Sequence, residues 1–179
     1  MVRRLLELVP NLFLSVSATT RGRRPIEREG VDYVFVSDEE FDRMIEDGEL
    51  LEWAEIFGHR SGTPAAPVRR VLSSGRDALL ELDVQGARLV KEAVPDAVLI
   101  LLAPPSLEEL ERRLRTRGTE DEERLARRLA KAEWELDQGS LFDHRVVNDE
   151  LEDASSQVAA IIGASRSRSA DHVRKDPHP

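Results

Sequence analysis

The stretch DALLELDV, residues 77–84, is an almost continuous apolar run, and a second such run, AVLILLA, follows at residues 97–103. Runs of this length are typical of strands that are buried on both faces of a parallel sheet. Each run is followed by a segment with helical periodicity, such as SLEELERRLRTRG at residues 106–118. Strands that alternate with helices in this way predict an α/β fold with a parallel-sheet core.

Short strands and capped helices complete the pattern. Strand character is found in LFLSVS, GVDYVFVS, LLEWAEIF and HRVVND. Ser37 with Glu40, and Ser106 with Glu109, stand at the positions of helix capping boxes. The chain opens within a helical pattern that has no capping residue before it, and it ends in a polar tail, residues 164–179, which we expect to be disordered.

Composition narrows the class of protein. The 179 residues are enough for one domain with a substantial core. A formal net charge of -9 argues against general nucleic-acid binding, which needs a broad basic surface. The sequence has no cysteine, and no apolar run approaches the roughly 18 residues of a membrane span. We therefore expect a cytoplasmic protein without nucleic-acid or membrane partners, in which any anion site is a local basic pocket.

Arginines and hydroxyls are concentrated in SVSATTRGRRPIEREGVDYVF, residues 15–35. Arg21, Arg23 and Arg24 lie within four positions, and Tyr33 follows them. A guanidinium offers a planar fork of donors that matches phosphate, and hydroxyls add neutral donors around it. The cluster therefore indicates a phosphate site, with a solvated basic loop as the alternative.

The same stretch is the first of five motifs that follow one another along the chain. The others are LLEWAEIFGHRSGTPAAPV, LLELDVQGA, RRLRTRGTEDEERLARRL and VVND. In their order and spacing these motifs resemble the guanylate kinases, and HRSGT is most similar to the actinobacterial members. The resemblance covers about residues 2–163, which is nearly the whole chain outside the polar tail.

This resemblance implies both a fold and a reaction. The fold is that of the P-loop kinases over residues 1–163, with an inserted mixed-sheet GMP-binding lobe near 16–66 and a helical lid near 108–138. The reaction is the transfer of a phosphoryl group from ATP to GMP, which gives ADP and GDP, with Mg²⁺ as the cofactor. The resemblance does not assign any residue of this chain as a direct ligand of Mg²⁺.

The resemblance assigns the guanine base to Glu52, Ser17 and Thr63. Guanine offers N1–H and the N2 amino group as donors beside the acceptors O6 and N7. A carboxylate suits the donors and hydroxyls suit the acceptors, whereas adenine would bring its amino group to a hydroxyl site. Buried polar groups that are left unpaired discriminate strongly between such ligands. Composition alone would make Glu52 a surface residue, but the matching motif on both sides favours a binding role.

Five further residues are assigned to GMP or to catalysis. The resemblance gives that phosphate to Arg21, Arg24 and Tyr33. Asp83 would stand at the carboxyl end of a central strand, where ligands bind in open α/β sheets, and would contact the substrate or the water shell of Mg²⁺ as a catalytic residue. Glu81 would lie on the same face of that strand and contribute to the GMP site.

Two positions depart from the pattern of the family. Arg23 stands where a proline usually precedes the second arginine, and Ser61 replaces a tyrosine. The loss of that phenol removes one hydrogen bond, which is worth about 1 kcal/mol. Arg60, the preceding residue, is a candidate to compensate for it.

The lid motif supplies the implied catalytic arginines. Phosphoryl transfer mostly needs positive charge around the phosphates and the exclusion of water. The clamping arginines of the family correspond to Arg113, Arg117 and Arg128, of which Arg117 and Arg128 would also bind ATP, and Asn148 would border its adenine. The remaining arginines are expected to pair with glutamates on solvated helices; they are Arg112, Arg115, Arg124 and Arg127.

One motif of such a kinase is not found in the sequence. No glycine of this chain belongs to a G-x-x-x-x-G-K-[ST] loop, the motif that cradles the phosphates of ATP. The first interpretation is that the start lies upstream, so that the first strand and its loop are absent here and the core is incomplete. The second is a non-catalytic module that binds GMP or a phosphopeptide and has lost its ATP site. The three lid arginines favour the first interpretation.

Overall fold

The computed structural model of this chain describes residues 1–117 and 122–175, with side chains described to residue 116 and from 122 to 166. The chain divides into two units. We call Pro10–Ala97 the central unit, and Met1–Val9 together with Val98–Pro179 the terminal unit.

Eight strands and seven α-helices make up the described part of the chain. In chain order they are α1 (Val2–Leu8), β1 (Leu12–Leu14), β2 (Ala18–Thr19), β3 (Val34–Phe35), α2 (Asp38–Glu46), β4 (Leu50–Ile56), β5 (His59–Pro64), α3 (Ala65–Ser73), β6 (Asp77–Leu79), α4 (Val84–Ala93), β7 (Ile100–Ala103), α5 (Leu107–Arg117), α6 (Glu122–Asp137), β8 (His144–Val147) and α7 (Leu151–Lys175).

Strands β1 and β6 form a parallel pair in the central unit, which confirms the parallel arrangement predicted for the DALLELDV run. Their register places Leu12 opposite Asp77 and Leu14 opposite Leu79. The ladder ends there, after a last hydrogen bond from Ser15 N to Leu79 O. Strand β6 is therefore shorter than the apolar run, and Glu81 follows the strand instead of lying within it.

The second sheet of the central unit has four strands in the order β3-β2-β5-β4. Strands β2 and β3 are parallel, whereas β5 runs antiparallel to both of its neighbours. The sheet is thus mixed, and its strands fall within the residues for which the sequence predicts a mixed-sheet lobe. Strands β4 and β5 are joined by Phe57 and Gly58, which both have positive φ, 52° and 78°. Positive φ at both central residues is what a two-residue hairpin turn requires.

Helix α2 packs on this sheet through Phe41, which is completely buried. Its start matches the sequence prediction, since Ser37 accepts a hydrogen bond from Glu40 N while the Glu40 side chain accepts one from Ser37 N. The Phe41 ring meets the Trp53 ring edge-on, with 6.2 Å between the ring centroids. Local capping and one buried aromatic residue therefore fix this helix.

The terminal unit contains a second parallel pair, β7 and β8, with Leu102 opposite Val146. Helix α1 packs against α7, where Arg4 makes an ion pair of 2.8 Å with Glu152. Helix α5 packs against α6. The buried side chains at the centre of this unit are Leu5, Val9, Leu99, Leu101, Ala103, Leu114, Leu125, Val146, Ala154 and Val158.

Helix α7 continues to Lys175, into the segment for which the sequence predicts a polar disordered tail. Residues 176–179 lie outside the described residues, and the tail stays a prediction. Within residues 1–117 and 122–175, no helix combines the length and the apolar character needed to cross a membrane.

Candidate active site

Glu52 is a buried acid in the middle of β4, with 7% of its surface exposed. The strand alternates, so that Glu52 and Ala54 face inward while Trp53 and Glu55 face outward. The register of the β4–β5 hairpin places Glu52 opposite Thr63. Thr63 Oγ1 donates a hydrogen bond of 2.7 Å to Glu52 Oε1, and this bond fixes one carboxylate oxygen.

A small polar cleft opens beside this carboxylate. Of the residues that the sequence assigns to GMP or catalysis, the cleft brings together Ser17, Glu52, Glu81 and Asp83. The complete lining consists of Ser17, Glu52, Ala54, Ile56, Ser61, Glu81, Leu82 and Asp83.

The cleft is strongly acidic. Burial raises the pKa of Glu52, and the nearby charge of Asp83 raises it further, while the hydrogen bond from Thr63 acts in the opposite direction. Burial also raises the pKa of Glu81. Negative charge in a partly desolvated cleft is costly unless donors or cations balance it. The cleft is therefore suited to a ligand that presents N–H groups, to a cation, or to both.

Asp83 has a structural contact as well as a place in the cleft. It is the N-cap of α4, and its Oδ1 accepts a hydrogen bond of 3.0 Å from Gly86 N. A side-chain cap of this kind satisfies one of the free N–H groups at the start of a helix. One carboxylate oxygen of Asp83 is thus used to begin α4 at the edge of the cleft.

Two of the three phosphate residues of the sequence analysis, Arg21 and Arg24, lie in a loop that we call the arginine loop, residues 21–27. Arg21 Nη2 and Nη1 donate hydrogen bonds of 2.8 and 3.1 Å to the two carboxylate oxygens of Glu27. The guanidinium of Arg21 also lies over the ring of Tyr33, 5.1 Å from its centroid. Arg21 and Tyr33, assigned to one phosphate by the sequence, are therefore in contact with each other.

Glu27 is the residue of this loop that the sequence analysis missed. It accepts a hydrogen bond of 2.8 Å from Arg24 N in addition to those from Arg21. These contacts lower the pKa of Glu27, with the side-chain hydrogen bond from Arg21 as the largest cause. The side chain of Arg24 is 59% exposed, and its closest approach to Glu27 is 3.9 Å. A carboxylate three positions beyond Arg24 was the only sequence signal for this role.

Arg60 does not take the place of the missing tyrosine. Its guanidinium pairs with Asp42 and, at 2.8 Å, with Asp38, both on α2. It also lies over the Phe41 ring, 5.0 Å from the centroid. The neighbouring Ser61 lines the cleft instead. Arg60 therefore attaches β5 to α2, and the hypothesis that it compensates for Ser61 finds no support in these contacts.

The terminal unit brings together two of the residues that the sequence assigns to the ATP side. Arg113 Nη1 donates a hydrogen bond of 2.6 Å to the backbone oxygen of Asn148, and Nη2 donates one of 3.1 Å to Asp149 O. Arg113 Nε donates to Glu109 Oε1 at 2.6 Å. Arg112 and Arg113 together lower the pKa of Glu109 to about 2. Arg113 thus links α5 to the turn that follows β8.

The other two lid arginines are placed differently. Arg128 is half-buried on α6. Arg117 ends α5, but its side chain lies outside the described residues. Three of the arginines expected to be structural do pair with glutamates on the same helix, since Arg112 pairs with Glu109, Arg115 with Glu111 and Arg127 with Glu123.

The cleft contains carboxylates that could act as ligands of a metal ion. Among the side chains that the structure describes, no three His, Cys, Asp or Glu residues are grouped to hold an ion by themselves. Mg²⁺ commonly keeps several waters and takes one or two carboxylates together with substrate phosphates. Glu81 and Asp83, two hard oxygen donors in one cleft, fit that requirement.

Parallel strand pairs and the helices that follow them define an open α/β protein. In this class of protein, ligands bind beyond the carboxyl ends of the strands, and the polar cleft lies in that place after β6. Comparison with known proteins identifies the particular family. The family model "Guanylate kinase" matches residues 1–165. The guanylate kinase of Mycobacterium sp. (strain MCS) is 55% identical over 90% of this chain and 82% of its own length. That of Nocardia farcinica is 53% identical over 93% of this chain and 88% of its own length.

A solved structure agrees with these relatives. The crystal structure of guanylate kinase from Anaplasma phagocytophilum matches 92% of this chain and 80% of its own, with a TM-score of 0.79 and 36% identity. The chain therefore belongs to the guanylate kinase family, the ATP:GMP phosphotransferases. The resemblance inferred from the five motifs is confirmed, including its actinobacterial character.

Proposed function

We propose that the Glu52 cleft binds the guanine base of GMP and that the arginine loop binds its phosphate, during transfer of a phosphoryl group from ATP. The buried carboxylate of Glu52 carries this proposal, because an acid with 7% exposure needs donor partners. Guanine supplies two donors side by side, N1–H and the N2 amino group. A carboxylate with one oxygen fixed by Thr63 is oriented to accept from both.

In this proposal the hydroxyls around Glu52 have two different roles, since some bind the base and one positions the carboxylate. Ser17 and Ser61 line the cleft and can donate to the acceptors O6 and N7 of guanine. Thr63 uses its proton on Glu52, so it acts mainly by holding the carboxylate in place. Adenine would bring an amino group to these hydroxyls and leave Glu52 without its donors, which discriminates against AMP.

In the arginine loop, Arg24 presents its guanidinium to the phosphate. Its side chain is 59% exposed, whereas that of Arg21 is 22% exposed and held by Glu27. A guanidinium carries five N–H groups, which is more than Arg21 uses in its hydrogen bonds to Glu27 and to the backbone oxygen of Gly22. Tyr33 contributes a phenolic donor beside Arg21. Glu27 therefore organises the loop, and the two arginines and Tyr33 bind the anion.

For the ATP side, we assign Arg113, Arg117, Arg128 and Asn148. The contacts of Arg113 with the backbone of Asn148 and Asp149 position the turn that would border the adenine. Arg128 and Arg117 would surround the phosphates, where positive charge and the exclusion of water favour transfer. Glu81 and Asp83 would hold Mg²⁺ through its waters, and the ion, when bound, neutralises charge on the phosphates.

The step itself needs no covalent intermediate on the protein. An oxygen of the GMP phosphate attacks the γ-phosphorus of ATP, and a new P–O bond forms as the bond to the β,γ-bridging oxygen breaks. The products are GDP and ADP. In this proposal the residues of the central unit hold the attacking phosphate of GMP. They favour the reaction by orienting this phosphate and by balancing its charge.

The test is the affinity of Glu52→Gln for GMP, IMP and AMP, measured by calorimetry without ATP. IMP differs from GMP only in lacking the N2 amino group. Hydrogen bonds to a charged group are worth about 1.5–3 kcal/mol, so we expect the Kd of GMP to rise about 10- to 100-fold and the preference for GMP over IMP to disappear. Glu55→Gln changes an exposed acid of the same strand and serves as the matched control. Full discrimination in Glu52→Gln would refute the assignment.

A further inference from the structure

The first turn of α4 lies against the Glu52 carboxylate. A Cβ atom placed on Gly86 would stand 2.9 Å from Glu52 Oε2 and 3.4 Å from its Cδ. Separations under about 3.0 Å do not occur for real Cβ atoms, so one of the two groups would have to move. The third contact, to Leu82 Cβ at 3.5 Å, is an ordinary one. Of these three contacts of an added Cβ, only those with the carboxylate are closer than ordinary van der Waals contact or at its lower limit.

The glycine is not needed for the backbone at this position. Its φ is not among the positive values found at Gly30, Gly48, Gly58 and Gly75, and it belongs to a regular helix. Glycine inside a helix costs about 0.5–1 kcal/mol relative to alanine. Glycine at residue 86 therefore lowers the stability of the helix, and Glu52 Oε2 lies close to the place that a Cβ atom of residue 86 would take.

The Glu52 carboxylate cannot move as a whole away from α4, because one of its oxygens is held. Its Oε1 is bound to Thr63 at 2.7 Å, and the residue is enclosed with 7% exposure. A methyl group at position 86 would push Oε2 away from α4 while Oε1 stays attached to β5. The pair of oxygens would then rotate out of the plane in which they accept two parallel donors.

We propose that Gly86 is a specificity-determining residue of this enzyme: the absence of its side chain lets Glu52 lie against α4 in the orientation that reads guanine. This inference rests on the proposed role of Glu52. The inference predicts that a methyl group added at position 86 displaces only the end of the Glu52 side chain. Recognition of guanine should then be weakened while the fold stays intact.

The experiment is Gly86→Ala, measured for GMP and IMP affinity and for thermal unfolding. We expect the Kd of GMP to rise about 10- to 100-fold and the preference over IMP to fall, while the melting temperature stays level or rises because alanine favours helix. The matched control is Gly163→Ala in α7, where a Cβ meets open space. The control should show the stability gain with unchanged GMP affinity.

A double-mutant cycle isolates the contact between the two residues. Glu52→Asp shortens the acid by one methylene and makes room for a methyl group at position 86. The effects of Gly86→Ala and Glu52→Asp should therefore not add, and the double variant should bind GMP about as well as Glu52→Asp alone.

Three results would overturn the inference. Gly86→Ala could bind GMP as the unmodified chain does, the two substitutions could prove additive, or Gly86→Ala could lose cooperative unfolding, which would show that more than a carboxylate must move. If Glu52→Gln fails its own test, the proposed function fails. If Glu52→Gln passes and Gly86→Ala changes nothing, only the inference about Gly86 fails.

Discussion

In its proposed role, Glu52 has to be ionised in surroundings that disfavour its charge. Burial raises the pKa of Glu52, so this carboxylate takes up a proton at a higher pH than an exposed glutamate does. The protonated acid would lack the charge that is proposed to accept two donors from guanine. The proposal therefore couples recognition of the base to the charge state of this residue.

This coupling predicts a pH dependence of base binding. Because burial raises the pKa of Glu52, its protonation and the loss of affinity for guanine should begin at a higher pH than for an exposed glutamate. Guanosine is the suitable probe, because the phosphate of GMP titrates on its own, near pH 6. Calorimetry should show a decline in the unmodified chain and a smaller decline in Glu52→Gln, in which Glu81, whose pKa burial also raises, still titrates. Equal declines in the two proteins would contradict the charge requirement at Glu52.

Arg24 supports a second prediction, about the phosphate. We expect Arg24→Ala to raise the Kd of GMP at least about 10-fold, since a charge-assisted hydrogen bond is worth about 1.5–3 kcal/mol, and to leave guanosine binding unchanged. Arg28→Ala is the control, because Arg28 has the same charge, lies in the same stretch and pairs with Asp32. Equal losses for GMP and guanosine would remove Arg24 from the phosphate site.

The β4–β5 hairpin carries Glu52 and Thr63, two residues of the proposed base site. Its register sets Glu52 opposite Thr63 and sets Trp53 opposite Gly62. A Cβ on Gly62 would stand 2.8 Å from Glu52 O and 2.9 Å from Trp53 Cβ. Two glycines thus serve Glu52 in different ways, because Gly62 gives room to its backbone and Gly86 to its carboxylate.

The hairpin therefore predicts a contrast between the two glycines. Gly62→Ala meets backbone that cannot move alone, so we expect a loss of about 1–3 kcal/mol in the free energy of unfolding, as for other overpacked sites. Urea denaturation measures it, with Gly163→Ala as the control for a glycine in open space. A Gly62→Ala protein as stable as the unmodified chain would show that the hairpin can shift to accept the methyl group.

Local signals in the sequence were sufficient for several elements. The capping box of Ser37 and Glu40 and the parallel direction of β7 with β8 are confirmed. The contacts of Arg60 and Glu27 were not predictable, because their partners are chosen by how α2 and the arginine loop fold back. Spacing along a chain fixes which side chains share a helix, but not which ones meet across a loop.

The same limit applies to strand lengths. The run DALLELDV reads as one strand of eight residues, yet β6 covers only Asp77–Leu79. Apolar character shows that a residue is suited to burial, whereas a strand also needs a partner with free backbone groups. In the described residues β6 pairs with β1, whose ladder has three positions.

The two units of the chain divide the assigned residues completely. All residues assigned to GMP, from Ser17 to Asp83, belong to the central unit, and Arg113, Arg117, Arg128 and Asn148 belong to the terminal unit. Each unit also has its own parallel strand pair. Binding of either nucleotide should therefore act first on its own unit.

Hydrogen exchange can test this division. With GMP alone, we expect slower amide exchange in the central unit, above all in β4, β5 and the arginine loop, because ligand binding lowers the population of locally open states. Peptides of the terminal unit, such as those from α7, provide the internal control. Protection confined to the terminal unit would show that the GMP residues are misassigned.

The position of Trp53, whose ring meets Phe41 edge-on, makes it useful as a fluorescent probe of β4. Of the two tryptophans in the chain, Trp53 lies in the central unit, next to Glu52, and Trp134 lies in the terminal unit. In a Trp134→Phe variant, the indole fluorescence would come from Trp53 alone. The strand proposed to bind the base thus carries an intrinsic fluorophore, and nucleotide titrations can be followed at that strand without attaching a dye.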